Sequence, residues 1–365
     1  MEFVDIKAQY YAYKNEINER IQKVLEHGRF IMGPEIEELE DKLADYVNVK
    51  HAITVASGTM ALEIALRALD IGPGDEVITV PFTWISTAEV IMLVGAKPVF
   101  VDIDTKTYNI DPSKIEGVIN ANTRAIIPVS LFGQMPDLSY INQIAEKYGL
   151  AVIEDGAQSF GAMQNGKKSC GTSLIGCTSF FPAKPLGCYG DGGAIFTNDD
   201  KLANKIRAIR THGGIRRHEH LFVGTNGRFD TIQAAILLVK LNHFEDEITK
   251  RLYIAERYSK MLQNYCVTPE IMLGNTHVYA QYTIRVRNRD NIKVQLQKRN
   301  IPISIYYPKC LHEQPVFSGL GYKWGDFPEA EKASREVLSL PIHPFLKEEE
   351  QNKIIHALIE AINNI

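Results

Sequence analysis

The sequence has no apolar run long enough to cross a bilayer, and its first residues lack the pattern of a signal peptide. Its 365 residues carry a formal net charge of −4, which predicts neither nucleic acid nor an anionic membrane as a partner. The five cysteines are odd in number and form no Cys-x-x-Cys pair, which argues against a disulfide framework and a structural zinc site. We therefore expect a cytoplasmic enzyme or enzyme-like protein with reduced thiols and no metal.

The order of apolar and amphipathic segments predicts an α/β protein with a mostly parallel sheet and helices on both faces. The predicted strands are residues 51–55, 76–80, 98–101, 125–129, 151–154 and 193–197. The predicted helices among them are residues 59–69, 85–94 and 137–148, and two more, residues 14–26 and 35–46, precede the first strand.

The pattern changes after residue 200. A helix over residues 201–210 and a polar loop lead into a long proline-free helical stretch from residue 230 to about residue 263. The remaining segments predict strands at residues 281–286 and 303–307 and helices at residues 291–299, 329–337 and the end of the chain. We therefore expect a large domain at residues 1–245 and a smaller α+β domain at residues 246–365.

Lys184 lies in a Gly-rich turn between two apolar runs, both of which we interpret as buried strands. A lysine that loses part of its solvation has a lower pKa and becomes an amine nucleophile toward an aldehyde. This is how a lysine holds pyridoxal phosphate, so Lys184 is the candidate catalytic residue.

Two further turns contain groups that this cofactor needs. Gly58 and Thr59 follow a strand and begin a helix, where free N–H groups can bind a phosphate. Asp155 follows another strand, where its carboxylate could keep a pyridine nitrogen protonated. The alternative interpretations are an ordinary helix cap for the first turn and a turn cap for Asp155.

Ser179 and Trp84 complete the candidate site. The hydroxyl of Ser179 could bind the phosphate, and the indole of Trp84 could stack on the cofactor ring, although a core aromatic is the commoner explanation of a tryptophan. Cys188 has no paired histidine, so we interpret it as a packed small residue. The His218-Glu219-His220 segment has no third ligand in reach, and we expect it to be exposed.

The whole chain resembles the DegT/DnrJ/EryC1/StrS family of pyridoxal phosphate-dependent nucleotide-sugar aminotransferases. The motifs that carry this resemblance are residues 28–35, 57–59, 72–77, 154–158, 179–184, 190–193 and 211–213, and Asn226 with Arg228. The resemblance implies transferase fold type I, which is the fold of aspartate aminotransferase.

The resemblance also implies roles for single residues. Lys184 matches the lysine that bonds the cofactor aldehyde, and Asp155 matches the partner of the pyridine nitrogen. Gln158 matches a residue on the ring-hydroxyl side. Gly58, Thr59 and Ser179 match phosphate ligands. Asn226 matches an asparagine that reaches the cofactor phosphate of the neighbouring subunit, which implies a homodimer with shared active sites.

Within the family, residues 128–134 and 179–193 are similar to aminotransferases that use L-glutamate and UDP-2-acetamido-2-deoxy-3-oxo-D-glucuronate in lipopolysaccharide or O-antigen biosynthesis. Those relatives carry His-Tyr-Pro where this chain has Tyr306, Tyr307 and Pro308. Tyr306 and Tyr307 are therefore candidate sugar-binding residues, and the contact made by the histidine is left open. Arg228 and Arg29 are candidates for binding substrate anions. For Arg216 and Arg217 a solvated loop is at least as good an explanation.

Three other functions stay open at this point. A 4-keto nucleotide-sugar aminotransferase would use the same cofactor residues. A pyridoxal phosphate-dependent dehydratase would not need glutamate, from which the aminotransferase forms 2-oxoglutarate. A binding or regulatory protein would lack the covalent bond at Lys184.

Overall fold

The computed structural model describes residues 1–216 and 218–364. Its helices are α1 (Ile6–His27), α2 (Pro34–Val47), α3 (Gly58–Ala68), α4 (Ser86–Leu93), α5 (Leu138–Tyr148), α6 (Asp200–Arg210), α7 (Thr231–Asn242), α8 (Phe244–Leu262), α9 (Arg289–Lys298), α10 (Pro328–Glu336) and α11 (Glu348–Asn363). Its strands are β1 (His51–Val55), β2 (Glu76–Thr79), β3 (Lys97–Phe100), β4 (Thr123–Ile126), β5 (Ala151–Asp155), β6 (Met163–Gln164), β7 (Lys167–Lys168), β8 (Ile175–Ser179), β9 (Gly193–Thr197), β10 (Gly214–Arg216), β11 (Glu219–His220), β12 (Tyr282–Arg285) and β13 (Val337–Leu340).

Seven strands form the central sheet in the order β1-β9-β8-β5-β4-β2-β3. β3, β2, β4, β5 and β8 pair in parallel, whereas β9 is antiparallel to both of its neighbours. The predicted α/β class with a mostly parallel sheet is therefore confirmed. Because the parallel strands end at one edge of the sheet, the residues that follow them are brought together there.

Hydrophobic clusters cover both faces of this sheet. One cluster joins the sheet to α2, α5 and α7, and the other joins it to α3, α4 and α6. A third cluster packs α8, α9 and α11 against the two-stranded sheet of β12 and β13. The helix α8 contributes Phe244 and Ile248 to the first cluster and Tyr258 and Leu262 to the third. The domain division after residue 245 stays a prediction.

Two predicted elements differ from the structure. The single helix expected over residues 230–263 is broken at His243, whose φ of −101° and ψ of 0° end α7 before α8 begins. The strand expected at residues 303–307 does not form, and Ser304 makes only an isolated bridge with Ser339. Proline at both 302 and 308 limits pairing of this segment, because proline cannot donate to a ladder.

Among the described residues, no helix combines the length and the apolar character that spanning a membrane requires.

Candidate active site

A cavity of about 360 Å³ lies at the edge of the sheet where the parallel strands end. The structure brings nine of the predicted site residues to its wall, namely Gly58, Thr59, Trp84, Asp155, Gln158, Ser179, Lys184, Tyr306 and Tyr307. These residues come from five separate segments of the chain. Their convergence follows from the sheet topology.

Lys184 is half-buried in the loop between β8 and β9. Its backbone N–H donates to the carbonyl of Phe181 at 2.9 Å, and a few residues later Cys188 N–H donates to Phe180 at 2.8 Å. Burial lowers the pKa of the Lys184 ammonium, and the Asp155 carboxylate acts in the opposite direction. The amine is therefore closer to its neutral, nucleophilic form than a surface lysine.

Asp155 is the last residue of β5 and is only 6% exposed. Its Oδ2 accepts a hydrogen bond of 2.8 Å from the Thr87 hydroxyl, and its Oδ1 accepts one of 3.2 Å from Ala157 N–H. Burial raises the pKa of this carboxyl, whereas Thr87, Ala157 and the charge of Lys184 lower it. A buried carboxylate that faces a cavity fits a cationic group inside that cavity, such as a protonated pyridine nitrogen.

The helix α3 begins at the other end of the cavity. Ser57 is its N-cap and accepts a hydrogen bond from Met60 N–H at 3.1 Å, so the predicted cap is present. Gly58 and Thr59, the first two residues of α3, have N–H groups with no acceptor inside the helix. A Cβ on Gly58 would lie 2.7 Å from Ser179 Cβ, which shows how closely the two backbones approach. These amides and the Ser179 hydroxyl form a cup that fits a phosphate.

Aromatic side chains close the cavity on one side. Trp84 is 58% exposed, so it is not a core residue, and its ring lies 6.2 Å from that of Tyr307. The Tyr307 hydroxyl accepts a hydrogen bond of 3.0 Å from Gln158 Nε2, while Gln158 Oε1 accepts one of 2.9 Å from Phe132 N–H. Gln158 is therefore held at both ends of its amide, and its orientation is fixed.

Sequence reasoning missed several polar residues at this site, among them Thr87 and Gln281. Thr87 bonds Asp155 from α4, 68 positions away along the chain, and nothing in the sequence pattern distinguishes it from other helical threonines. Gln281 lines the cavity from the residue before β12, and its buried Oε1 has no hydrogen-bond partner among the described residues. A polar residue next to the apolar strand β12 was the only available signal.

Three predicted residues do not line this cavity in their own chain. Asn226 is exposed, and its backbone forms a bridge with Thr211. Arg228 is half-buried, and its Nε has no hydrogen-bond partner among the described residues. Arg29 is exposed and lines a separate cavity of about 400 Å³ beside α2. The roles expected for these residues stay predictions.

The loop that follows α6 contains the remaining charged candidates. Arg216 forms an exposed ion pair of 2.8 Å with Glu219. His218 and His220 are exposed, and His220 Nδ1 lies 2.9 Å from the carbonyl oxygen of His212. Arg217 lies outside the described residues. In the part of the chain that the structure describes, no cluster of three His, Cys, Asp or Glu side chains is placed to hold a metal ion.

Comparison with known proteins supports the family resemblance along nearly the whole chain. The model of the DegT/DnrJ/EryC1/StrS aminotransferase family matches residues 12–359. The UDP-2-acetamido-2-deoxy-3-oxo-D-glucuronate aminotransferase of Pseudomonas aeruginosa is 53% identical over 95% of this chain and 96% of its own.

Two solved structures have the same fold. The DegT DnrJ EryC1 StrS aminotransferase from Brucella abortus is 45% identical, with a TM-score of 0.96 and coverage of 99% of both chains. The structure of ntda from Bacillus subtilis with bound cofactor PMP is 34% identical, with a TM-score of 0.91 over 96% of this chain and 82% of that one.

Fold and cavity together define a pyridoxal phosphate-dependent aminotransferase of fold type I. The sequence comparison identifies the family: the chain belongs to the DegT/DnrJ/EryC1/StrS aminotransferases. The resemblance, the cofactor and the enzyme class predicted from the sequence are confirmed.

Proposed function

We propose that this enzyme transfers the amino group of L-glutamate to a UDP-linked keto sugar, most specifically UDP-2-acetamido-2-deoxy-3-oxo-D-glucuronate. The product would enter a bacterial surface polysaccharide such as lipopolysaccharide O-antigen. The observation that carries the proposal is the placement of Lys184 and Asp155 in one cavity, with the phosphate cup of Gly58, Thr59 and Ser179 at its end. We choose this sugar because the relative from Pseudomonas aeruginosa is a UDP-2-acetamido-2-deoxy-3-oxo-D-glucuronate aminotransferase.

Pyridoxal phosphate, when bound, supplies an aldehyde that accepts an amino group and a ring that withdraws electrons from the neighbouring carbon. The protein residues hold and orient it. The amides of Gly58 and Thr59 and the hydroxyl of Ser179 would bind the phosphate, and the indole of Trp84 would pack against the ring. The Asp155 carboxylate would keep a proton on the ring nitrogen, because opposite charges stabilise each other in a buried site.

Lys184 moves protons during the reaction. Its amine, with a pKa lowered by burial, would accept a proton from the α-carbon of glutamate. The amino group of glutamate passes to the cofactor, and water supplies the carbonyl oxygen of the 2-oxoglutarate that leaves. In the second half-reaction the Lys184 ammonium returns a proton to the sugar carbon that receives the amine. Both substrates use the cavity in turn, so the account requires a ping-pong mechanism.

We also propose that the enzyme is a homodimer with shared active sites. Asn226 and Arg228 lie outside the cavity of their own chain, where they are available to the site of a second copy. Exposed apolar side chains lie near both regions, among them Ile31, Trp84 and Phe181, which are 52%, 58% and 51% exposed. Large apolar side chains that are exposed in a single chain are what burial by a second copy would cover. We place the enzyme in the cytoplasm because its five cysteines are free thiols.

A 4-keto nucleotide sugar is the second candidate substrate. Tyr306 lines the cavity at the position where the resemblance implies histidine in the 3-oxo-glucuronate branch, so the contact expected of that histidine stays open in this chain. The test is to incubate the enzyme with glutamate and either the 3-oxo or a 4-keto UDP sugar, and to locate the new amine by NMR. Amination at C3 of the uronate supports the proposal, and amination only of 4-keto sugars contradicts it. Turnover of a sugar without glutamate would indicate a dehydratase.

A further inference from the structure

Lys240 is a buried lysine that the reaction described above does not use. It lies in α7 and is 2% exposed. Burial lowers the pKa of its ammonium to about 8, while Glu247 on α8 and Cys188 in the neighbouring loop act in the opposite direction. A buried ammonium is costly unless nearby groups compensate for the lost solvation, so the contacts of Lys240 must supply that compensation.

Those contacts lead to the loop that contains Lys184. Lys240 Nζ donates a hydrogen bond to the carbonyl oxygen of Gly187, three residues after Lys184. The same ammonium lies 4.4 Å from the ring centroid of Tyr189, a cation–π distance. The α7 helix therefore contacts the loop through a charged group and not through apolar packing alone.

A second residue of α7 holds the same loop. Gln233 Oε1 accepts a hydrogen bond of 2.8 Å from Tyr189 N–H, and its Nε2 donates one of 3.3 Å to the Tyr189 carbonyl. Gln233 and Lys240 are seven positions apart, which is two helical turns, so both project from one face of α7. Together they hold the backbone at positions 187 and 189.

The loop itself is tightly folded between these contacts and Lys184. A Cβ on Gly187 would lie 2.6 Å from the carbonyl oxygens of both Phe181 and Pro182, so only glycine fits there. The buried Cys188 Sγ lies 3.1 Å from the carbonyl oxygen of Phe180 and 3.2 Å from that of Gly190, so its single S–H can donate to either. A displacement of residue 187 would therefore be transmitted to the segment that carries Lys184.

Glu247, whose charge acts on Lys240, is itself held by a residue of α1. The Glu247 carboxylate, 2% exposed, accepts hydrogen bonds of 2.9 and 2.8 Å from Gln9 Nε2. Burial lowers the pKa of Arg251 to about 10, and the charge of Glu247 opposes this effect. Burial raises the pKa of Tyr13, and the charge of Glu247 raises it further. Glu247 is thus a buried anion whose charge favours the protonated form of Lys240, without a direct hydrogen bond to it among the described residues.

We propose that Lys240 is a positioning residue which, with Gln233, holds the 184–189 loop so that the Lys184 amine points into the cavity. This inference rests on the proposed function, since it assumes that Lys184 bonds the cofactor aldehyde. Its consequence is that the cofactor bond at Lys184 depends on a residue that does not touch the cavity.

The test uses purified holoenzyme and measures how fast hydroxylamine removes the visible absorbance of the bound cofactor. The variant Lys240→Met keeps the length of the side chain but removes its hydrogen bond to Gly187. We expect removal to be about tenfold faster, because hydrogen bonds to charged groups contribute that much or more. Lys240→Gln, which keeps an N–H donor, should recover part of the difference. Lys250→Met, an exposed lysine on α8, is the matched control and should behave as the parent.

A purely structural role predicts a different result. If Lys240 only stabilises the fold, Lys240→Met should unfold at a lower temperature, because it leaves the Gly187 carbonyl without its donor and removes a cation that acts on buried Glu247, while the cofactor is removed at the parent's rate. Equal removal rates in Lys240→Met and the parent would overturn the inference while the proposed function stands. If Lys240→Met does not fold, the same measurement is made on Gln233→Leu. We expect hydroxylamine to remove its cofactor about tenfold faster than that of the parent, for the same reason. A parent protein that takes up no cofactor would instead contradict the proposed function.

Discussion

Burial has opposite effects on the two central side chains. It lowers the pKa of the Lys184 ammonium and raises the pKa of the Asp155 carboxyl, so it favours the neutral form of each. The hydrogen bonds to Asp155 from Thr87 and Ala157 oppose this effect and favour the ionised carboxylate. The site can therefore supply a neutral amine together with an anion, which is the combination that the cofactor requires.

Thr87→Val tests the contribution of one of these hydrogen bonds. Because the Thr87 hydroxyl stabilises ionised Asp155, its removal should raise the pKa of this carboxyl. The acid limb of the kcat/KM profile should then move to higher pH, with activity near neutral pH reduced about tenfold. A pH–rate profile measures both changes. Thr249→Val, on the exposed side of α8, is the matched control, and an acid limb that stays in place would contradict the role of Thr87.

Asp155→Asn tests the charge itself. Asparagine keeps the size of the side chain and can still accept from Thr87, but it cannot keep the ring nitrogen protonated. We expect kcat to fall by about a hundredfold or more, because the buried charge pair is lost. Single-turnover measurement of each half-reaction would show this, and a fall of less than threefold would contradict the assignment.

Sequence reasoning found these residues only in part. Asp155 and Ser179 are the last residues of β5 and β8, Lys184 lies in the loop after β8, and strand ends in an α/β sheet predict a ligand site. The alternative interpretation of Asp155 as a turn cap also holds, since it bonds Ala157 N–H. Thr87 and Gln281 could not be predicted, because their importance comes from tertiary contacts.

At the scale of elements, α3 and the 180–190 loop define the two ends of the cavity. All but one of the sheet strands were predicted as apolar runs, and their ends differ from the structure by at most a few residues, whereas the strand order was not predicted. The break at His243 was missed because residues 230–263 contain neither proline nor glycine. The 303–307 segment was assigned as a strand because its residues favour strands locally, whereas the fold uses it as a cavity wall.

Gly58→Ala tests the close contact at the start of α3. The added Cβ would lie 2.7 Å from Ser179 Cβ, so α3 or β8 must shift and the phosphate cup must widen. We expect the affinity for pyridoxal phosphate to fall by about tenfold or more, as measured by titration of protein freed of cofactor. Gly117→Ala is the matched control, since a Cβ there meets no atom within 4 Å. Equal affinities in the two variants would contradict the proposed cup.

At the scale of the whole molecule, residues that lie far apart along the chain line the cavity. Residues 57–59 and 84 lie in the first third of the sequence, and Tyr306 and Tyr307 lie in the last fifth. The positions of Asn226 and Arg228 outside this cavity are the reason for proposing a dimer. Sequence reasoning indicated the dimer only through family resemblance, because no pattern within one chain shows what a second copy contacts.

Mixed dimers test this arrangement. Lys184→Ala and Asn226→Ala should each be nearly inactive as homodimers. Co-expressed with different tags, they form a heterodimer in which one site has both Lys184 and Asn226. Purified heterodimer should have about half of the parental activity, because one of its two sites is intact. A heterodimer as inactive as both homodimers would contradict shared active sites.

The most direct test of the central claim is to find where the cofactor is attached. Borohydride reduction of the holoenzyme, followed by protease digestion and mass spectrometry, identifies the residue that carries the pyridoxyl group. The account predicts one modified residue, Lys184, and no modification in Lys184→Ala. A pyridoxyl group on another lysine, or an unmodified parent protein that still transfers amino groups, would contradict it.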